Sequence, residues 1–168
     1  ILASHPTDPA TIYGASPQGD GTWKTTDRGS TWTWLKVPHS CADELRINPH
    51  DSETVWAVAH GGEVSRSTDG GATWDTIINP SGEGFRFGSA YALAPAPSDP
   101  DMIYALKNGF GIFKSTDRGQ NWQFLRFSEV DYTYSIAVHP TNPDIVYSGY
   151  NPKPFQDWAM VRQTTDGC

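Results

Sequence analysis

Apolar positions along this chain fall in short β-like runs separated by turn residues, and no window repeats them at helical spacing for more than two turns. In one stretch the runs cover 44–48, 54–59, 63–68 and 74–79; in the next they cover 92–96, 102–107, 111–116 and 122–127. Four short runs thus recur as a unit with a period of 42 to 49 residues. That period predicts the four-stranded antiparallel blades of a β-propeller. The expected fold class is all-β: three complete blades and one incomplete blade, whose third strand ends near Thr164, giving a partial propeller. The expected organisation is a single region over 1–168, with repeats at about 1–40, 41–88, 89–131 and 132–168.

Two motifs keep this period. The first reads Thr25-Thr26-Asp27-Arg28-Gly29-Ser30-Thr31-Trp32 and recurs as Ser67-Thr68-Asp69-Gly70-Gly71-Ala72-Thr73-Trp74 and Ser115-Thr116-Asp117-Arg118-Gly119-Gln120-Asn121-Trp122. A broken copy, Thr164-Thr165-Asp166-Gly167-Cys168, follows. The second motif lies about 20 residues upstream of the aspartates in the first three copies; it begins His5-Pro6-Thr7-Asp8-Pro9 and later appears around Pro49, Pro97 and Pro140.

The first motif, here called the aspartate turn, suits a hairpin between strands three and four. Gly29, Gly71 and Gly119 supply unusual backbone angles, the Asp and Ser/Thr side chains accept bonds from unpaired turn amides, and Trp32, Trp74 and Trp122 bury an apolar face. Asp27, Asp69, Asp117 and Asp166 are therefore expected to be structural. A calcium loop needs several oxygen ligands followed by a glutamate, whereas each turn has one carboxylate, so neither metal nor cofactor is expected. In the second motif, proline fixes the bend between strands one and two.

Antiparallel strands send successive loops to alternate ends of a blade, so both motif turns share one end. The loops between strands two and three and between blades share the other, and there the repeats diverge in length and chemistry. Divergent loops on a rigid scaffold are where binding or catalysis is commonly mounted. Those loops offer Asp43, Asp131 and Asp157 as candidate catalytic acids. They also offer Arg86, Phe87, Tyr132, Tyr150, Phe155 and Trp158 as candidate ligand-binding residues. Aromatic rings stack on sugar faces, and paired acids work on glycosidic bonds.

Charge narrows the partners. Nineteen acidic against 12 basic residues leave a net charge of −7, which repels phosphate backbones and makes nucleic acid a poor partner. No apolar run approaches the ~18 residues of a membrane span, so membrane insertion is not expected. Cys41 and Cys168 could form at most one disulfide, and neither has metal-ligand spacing. Ile1 already sits within a strand pattern and Cys168 replaces a turn glycine, so both ends are expected to be cut. An incomplete blade exposes sheet edges; further blades or pairing with another copy are expected to complete the ring.

Together the two motifs resemble the Asp-box, or BNR-repeat, β-propeller superfamily, which includes sialidases, xyloglucan-active endoglucanases, sortilin-type receptors and photosystem assembly factors. The repeat style is most similar to the xyloglucanase-like and sortilin-like secreted propellers, and the resemblance implies a secreted or periplasmic location. It does not bring a sialidase arginine triad: Arg28 and Arg118 lie in aspartate turns, and Arg66 stands where Lys24 and Lys114 stand in other repeats. The catalytic aspartate that xyloglucanases carry after strand two corresponds here to Pro17, His60, Asn108 and Asn151, none acidic. Any catalytic acid would then come from blades beyond this stretch, or from Asp43, Asp131 or Asp157 in other loops. Two functions stay open: a glycoside hydrolase-like propeller acting on or binding a polysaccharide, and a non-catalytic scaffold binding a protein or cell-surface ligand.

Overall fold

Strand two of the second repeat, Thr54-Val55-Trp56-Ala57-Val58-Ala59, is a continuous apolar run after its leading threonine, and all six residues are buried. A strand buried on both faces needs no alternation, because each side meets another layer. The computed structural model describes residues 1–16, 21–38, 42–59, 62–78, 91–107, 111–125, 132–151 and 160–164. Among these, all regular structure is extended.

The strands are β1 (Leu2–Ser4), β2 (Ile12–Ala15), β3 (Thr22–Thr25), β4 (Thr33–Leu35), β5 (Ala42–Ile47), β6 (Val55–Ala59), β7 (Val64–Ser67) and β8 (Asp75–Ile78), followed by β9 (Tyr91–Pro95), β10 (Ile103–Lys107), β11 (Gly111–Ser115), β12 (Gln123–Leu125), β13 (Tyr132–Val138), β14 (Val146–Asn151) and β15 (Met160–Thr164). They form antiparallel sheets in chain order: three of four strands, β1–β4, β5–β8 and β9–β12, and one of three, β13–β15. This is the blade architecture expected from the repeat period.

The chain divides into two compact units, Ile1–Phe87 and Gly88–Cys168. In the first unit, sheet β1–β4 lays its back face, with Tyr13, Ala15 and Leu35, on the front face of sheet β5–β8, with Ala42, Leu45, Val55 and Ala57. In the second unit, Tyr104, Leu106, Ile112 and Leu125 of one sheet pack with Val146 of the next, flanked by Ile136 and Val138. The same faces meet in both units because the repeat places the same residue types at the same register.

The layers are also joined by a polar contact. Tyr13 Oη donates to the Gly70 carbonyl at 3.0 Å, and Lys24 Nζ donates to the same oxygen at 3.0 Å. In the second unit Tyr104 Oη donates to the Pro143 carbonyl at 2.9 Å, and Lys114 Nζ reaches Asp144 at 2.9 Å. Each lysine lies over its tyrosine ring, at 5.2 Å and 5.7 Å from the centroid. Close approach is tight at Gly71, where an added Cβ would sit 2.9 Å from Leu35 Cδ1.

Candidate functional site

Among the described residues the two motif turns meet at one end of each of the first three blades, as strand reversal requires. Backbone bonds tie them within a blade: Arg28 N–H to the Ala10 carbonyl at 3.0 Å, Gly70 to Glu53 at 2.8 Å and Arg118 to Asp101 at 2.8 Å. The aspartate turn itself is self-contained. Asp27 accepts the Thr25 hydroxyl at 2.8 Å, the Thr31 amide at 2.8 Å and the Thr31 hydroxyl at 2.6 Å. Asp69 and Asp117 repeat this pattern, with Asn121 Nδ2 replacing the threonine hydroxyl in the third turn. The indole N–H of Trp32, Trp74 and Trp122 donates to the carbonyl of Gly29, Gly71 and Gly119.

The bonds from Thr31, to its hydroxyl and its amide, are the largest causes that pull Asp27 down to about 2; those from Thr73 do the same for Asp69. Asp117 is also lowered, chiefly by the Asn121 amide. Carboxylates so bound to their own turn, and so acidic, are poor proton donors near neutral pH. An open groove of about 320 Å³ lies beside the third turn, lined by Lys114, Asp117 and Trp122 among others. Another, of about 300 Å³, runs between β1 and β5.

Of the candidates from sequence, Asp43, Tyr132 and Tyr150 lie among the described residues, at the opposite, loop-bearing ends of their blades. Asp43 sits at a β-bulge in β5, between the register pairs Ala42–Ala59 and Glu44–Val58, and is half-buried. An extra residue in one strand re-aims the local side chain, a device common beside binding sites. Next to it Glu44 is paired with Arg46 at 2.5 Å. Tyr132 opens β13 and Tyr150 lies near the end of β14, opposite Asn151 and Thr133 respectively, so both backbones reach the loop end. Asp131, Asp157, Arg86, Phe87, Phe155 and Trp158 lie outside the described residues, as do Asp166, Cys41 and Cys168. Among the described residues no group of three His, Cys, Asp or Glu side chains could hold a metal ion.

Sequence reasoning passed over Lys107. It closes β10 at the loop end, is 1% exposed, and has its pKa lowered by burial. Aligning the repeats would have exposed it, because the same position holds Ser16, Ala59 and Tyr150. A desolvated ammonium is a functional-site candidate on physical grounds. Each unit taken by itself thus carries one such charged group at the loop end of its own blades, Asp43 on a bulge in the first and buried Lys107 in the second.

No family model matches the chain. A xyloglucanase from a Paenibacillus species is 30% identical over 96 residues, covering 46% of this chain and 9% of that protein. Among solved structures, an ancestral GH74 enzyme superposes with a TM-score of 0.80 at 19% identity, covering 98% of this chain and 24% of the other. YCF48 bound to a D1 peptide superposes with a TM-score of 0.63 at 17% identity, covering 98% and 53%. The chain thus spans under a tenth of its curated relative and about a quarter of the GH74 enzyme. The structural likenesses establish the fold as β-propeller blades.

Proposed function

We propose that this chain is a blade array of a secreted or periplasmic, Asp-box-type, glycoside hydrolase-like propeller that engages a polysaccharide on its loop-bearing end. The observation that carries the reading is the pairing of a 0.80 TM-score to a GH74 enzyme over nearly the whole chain with 30% identity to a xyloglucanase over 96 residues. The composition of the loops supports it: they carry the acids Asp43, Asp131 and Asp157, and also Arg86, Phe87, Tyr132, Tyr150, Phe155 and Trp158. Ring faces bind sugars by stacking, and a pair of carboxyls a few ångström apart can protonate and displace at an anomeric centre. In this reading two of the three aspartates act as acid and base or nucleophile.

Affinity electrophoresis in gels containing xyloglucan or other β-glucans tests the binding half. Retardation that is lost in Phe155→Ala and Trp158→Ala is expected; migration equal to that in a glycan-free gel overturns it. Release of reducing ends tests the catalytic half. Replacing either working aspartate by asparagine should lower kcat by about 10²–10⁴-fold, the usual weight of a general acid or base. No hydrolysis by the parent chain, with retardation intact, leaves a binding module.

The peptide held by the YCF48 propeller favours a second reading, in which the same end binds a protein ligand. A peptide array probed with the chain, run beside the glycan gels, separates the two.

A further inference from the structure

A histidine closes the turn between β13 and β14. Its Nδ1 atom, in His139, accepts the backbone amides of Thr141 and Asn142, both at 3.3 Å. The His139 amide donates to the Ile145 carbonyl at 2.9 Å. The side-chain bonds span two and three residues, so the turn makes them from its own sequence. His5 repeats the arrangement in the first turn of this kind, accepting the Thr7 and Asp8 amides at 3.3 Å and 2.9 Å. All these donors are backbone N–H groups, which always carry their hydrogen. Nδ1 must therefore offer a lone pair, which leaves the ring proton on Nε2. A second proton would go to Nδ1 and abolish the acceptor. The Thr141 hydroxyl, 3.4 Å from the same nitrogen, could take a bond from that proton, but both amides would still lose theirs.

The His139 turn also joins two sheets of the second unit. It supplies the Pro143 carbonyl, which accepts Tyr104 Oη at 2.9 Å, and the Asp144 carboxylate, which meets Lys114 Nζ at 2.9 Å. The first unit builds the matching joint on the Gly70 carbonyl, which accepts from Tyr13 and Lys24. Gly70 N–H is tied to the Glu53 carbonyl, in a turn where Asn48 Oδ1 accepts the His50 amide at 2.9 Å. An amide oxygen accepts at any ordinary pH, whereas an imidazole nitrogen accepts only when neutral. The same joint is thus supported once by a fixed acceptor and once by a titrating one. Among the described residues, the titratable and charged groups around His139 are Tyr147 of β14, with its ring centre 6.4 Å away, and Asp144 of the same turn, paired with Lys114 of β11. Neither a phenol nor a closed ion pair offers a free counter-charge to an imidazolium.

We propose that His139 is a pH-sensitive latch between sheets β9–β12 and β13–β15. Neutral, it holds the turn that carries Pro143 and Asp144; protonated, it releases that turn and loosens the joint. The sign follows from the bonds: the joint is complete where imidazole is neutral and weakens as pH falls from about 8 to about 5, the span in which imidazoles gain charge.

Hydrogen exchange of the parent chain, read at single amides by NMR and corrected for the intrinsic rate at each pH, tests the turn. Protection at Thr141 and Asn142 is expected to fall by at least about fivefold between pH 8 and pH 5, the weight of a lost hydrogen bond. The midpoint of that fall should coincide with the chemical-shift titration of the His139 ring in the same sample. His139→Asn, which installs the acceptor of the second repeat, should keep its protection across the range. Tyr104→Phe reads the joint. Its cost in urea midpoint should be smaller at pH 5 than at pH 8 in the parent background, and equal at both in the His139→Asn background. Parental protection that stays constant, or that falls at a midpoint other than the ring's, overturns the proposal without any variant. A fall that persists unaltered in His139→Asn overturns it too, since another group then titrates. A Tyr104→Phe cost equal at both pH values in the parent confines the effect to the turn and overturns the latch.

Discussion

At Arg28 and Arg118 the backbone adopts a φ of 60°, a left-handed conformation that costs a side-chain-bearing residue about 1–2 kcal/mol. The glycine that follows is also left-handed, at 88° in both turns, giving the two successive positive φ values that a two-residue type I′ hairpin requires. The second turn fills the first of these positions with Gly70. Arg28→Gly should therefore raise stability by about 0.5–1 kcal/mol, net of the extra freedom of glycine in the unfolded chain, read as a shift in the urea midpoint. Arg118→Gly should gain less, because it gives up the 2.7 Å ion pair with Asp101, an exposed contact worth roughly 0–1 kcal/mol. The turn aspartates Asp27 and Asp69 set an acid limit. Their folded pKa of about 2 lies below the ordinary 3.8. Their contribution is thus complete above the unfolded value and is lost as pH falls through the folded one. Denaturant midpoints measured stepwise from pH 5 to pH 2, values chosen to bracket about two units around that window, should fall most steeply below 3.8. Asp27→Asn/Asp69→Asn should flatten the slope; an unchanged profile in that variant would show that other carboxyls govern acid stability.

Between sheets, the repeated tyrosine contact is the element-scale device. Tyr13→Phe removes a buried hydroxyl but leaves the Gly70 carbonyl its Lys24 partner, so a loss of about 0.5–1 kcal/mol is expected in thermal or urea unfolding. Tyr104→Phe takes the hydroxyl from the Pro143 carbonyl and also from Lys114. Burial works against the Lys114 charge, yet Asp144 and Tyr104 hold its pKa above the usual lysine value. The second variant should thus cost more, about 1–2 kcal/mol. These elements were legible in the sequence for a physical reason: the aspartate turn is closed by bonds spanning at most four residues, so its chemistry is written locally. The strand runs and the shared end of the two motifs follow from the same locality. What was not legible depended on neighbours or on exceptions to the repeat. Trp32 carries the same motif as Trp74 and Trp122 but is 41% exposed, because exposure is decided by the layer above it and not by the turn. Arg28 and Arg118 sit where glycine would be read, since the side-chain bonds of Asp27 and Asp117 hold the conformation. The bulge at Asp43 and the burial of Lys107 belong to the divergent end, where no repeat constrains the sequence.

For the whole molecule the net charge of −7 separates the two functional readings. A neutral glucan carries no charge for the protein field to act on, and its binding through ring stacking and hydrogen bonds is nearly independent of ionic strength. A protein or peptide ligand selected by an acidic surface would be basic, and its association would be steered by long-range attraction. Raising salt from 0.1 M to 1 M shortens the screening length from about 10 Å to about 3 Å, which removes most of that attraction while leaving stacking intact. Retardation in xyloglucan gels should therefore hold within about twofold in dissociation constant across this range, the small residual expected for an uncharged ligand. A basic peptide captured on an array should instead weaken by at least about tenfold, as steered complexes do. Glycan retardation that collapses with salt would mean the contact is made through charge, and the proposed stacking on Phe155 and Trp158 would then not be its basis.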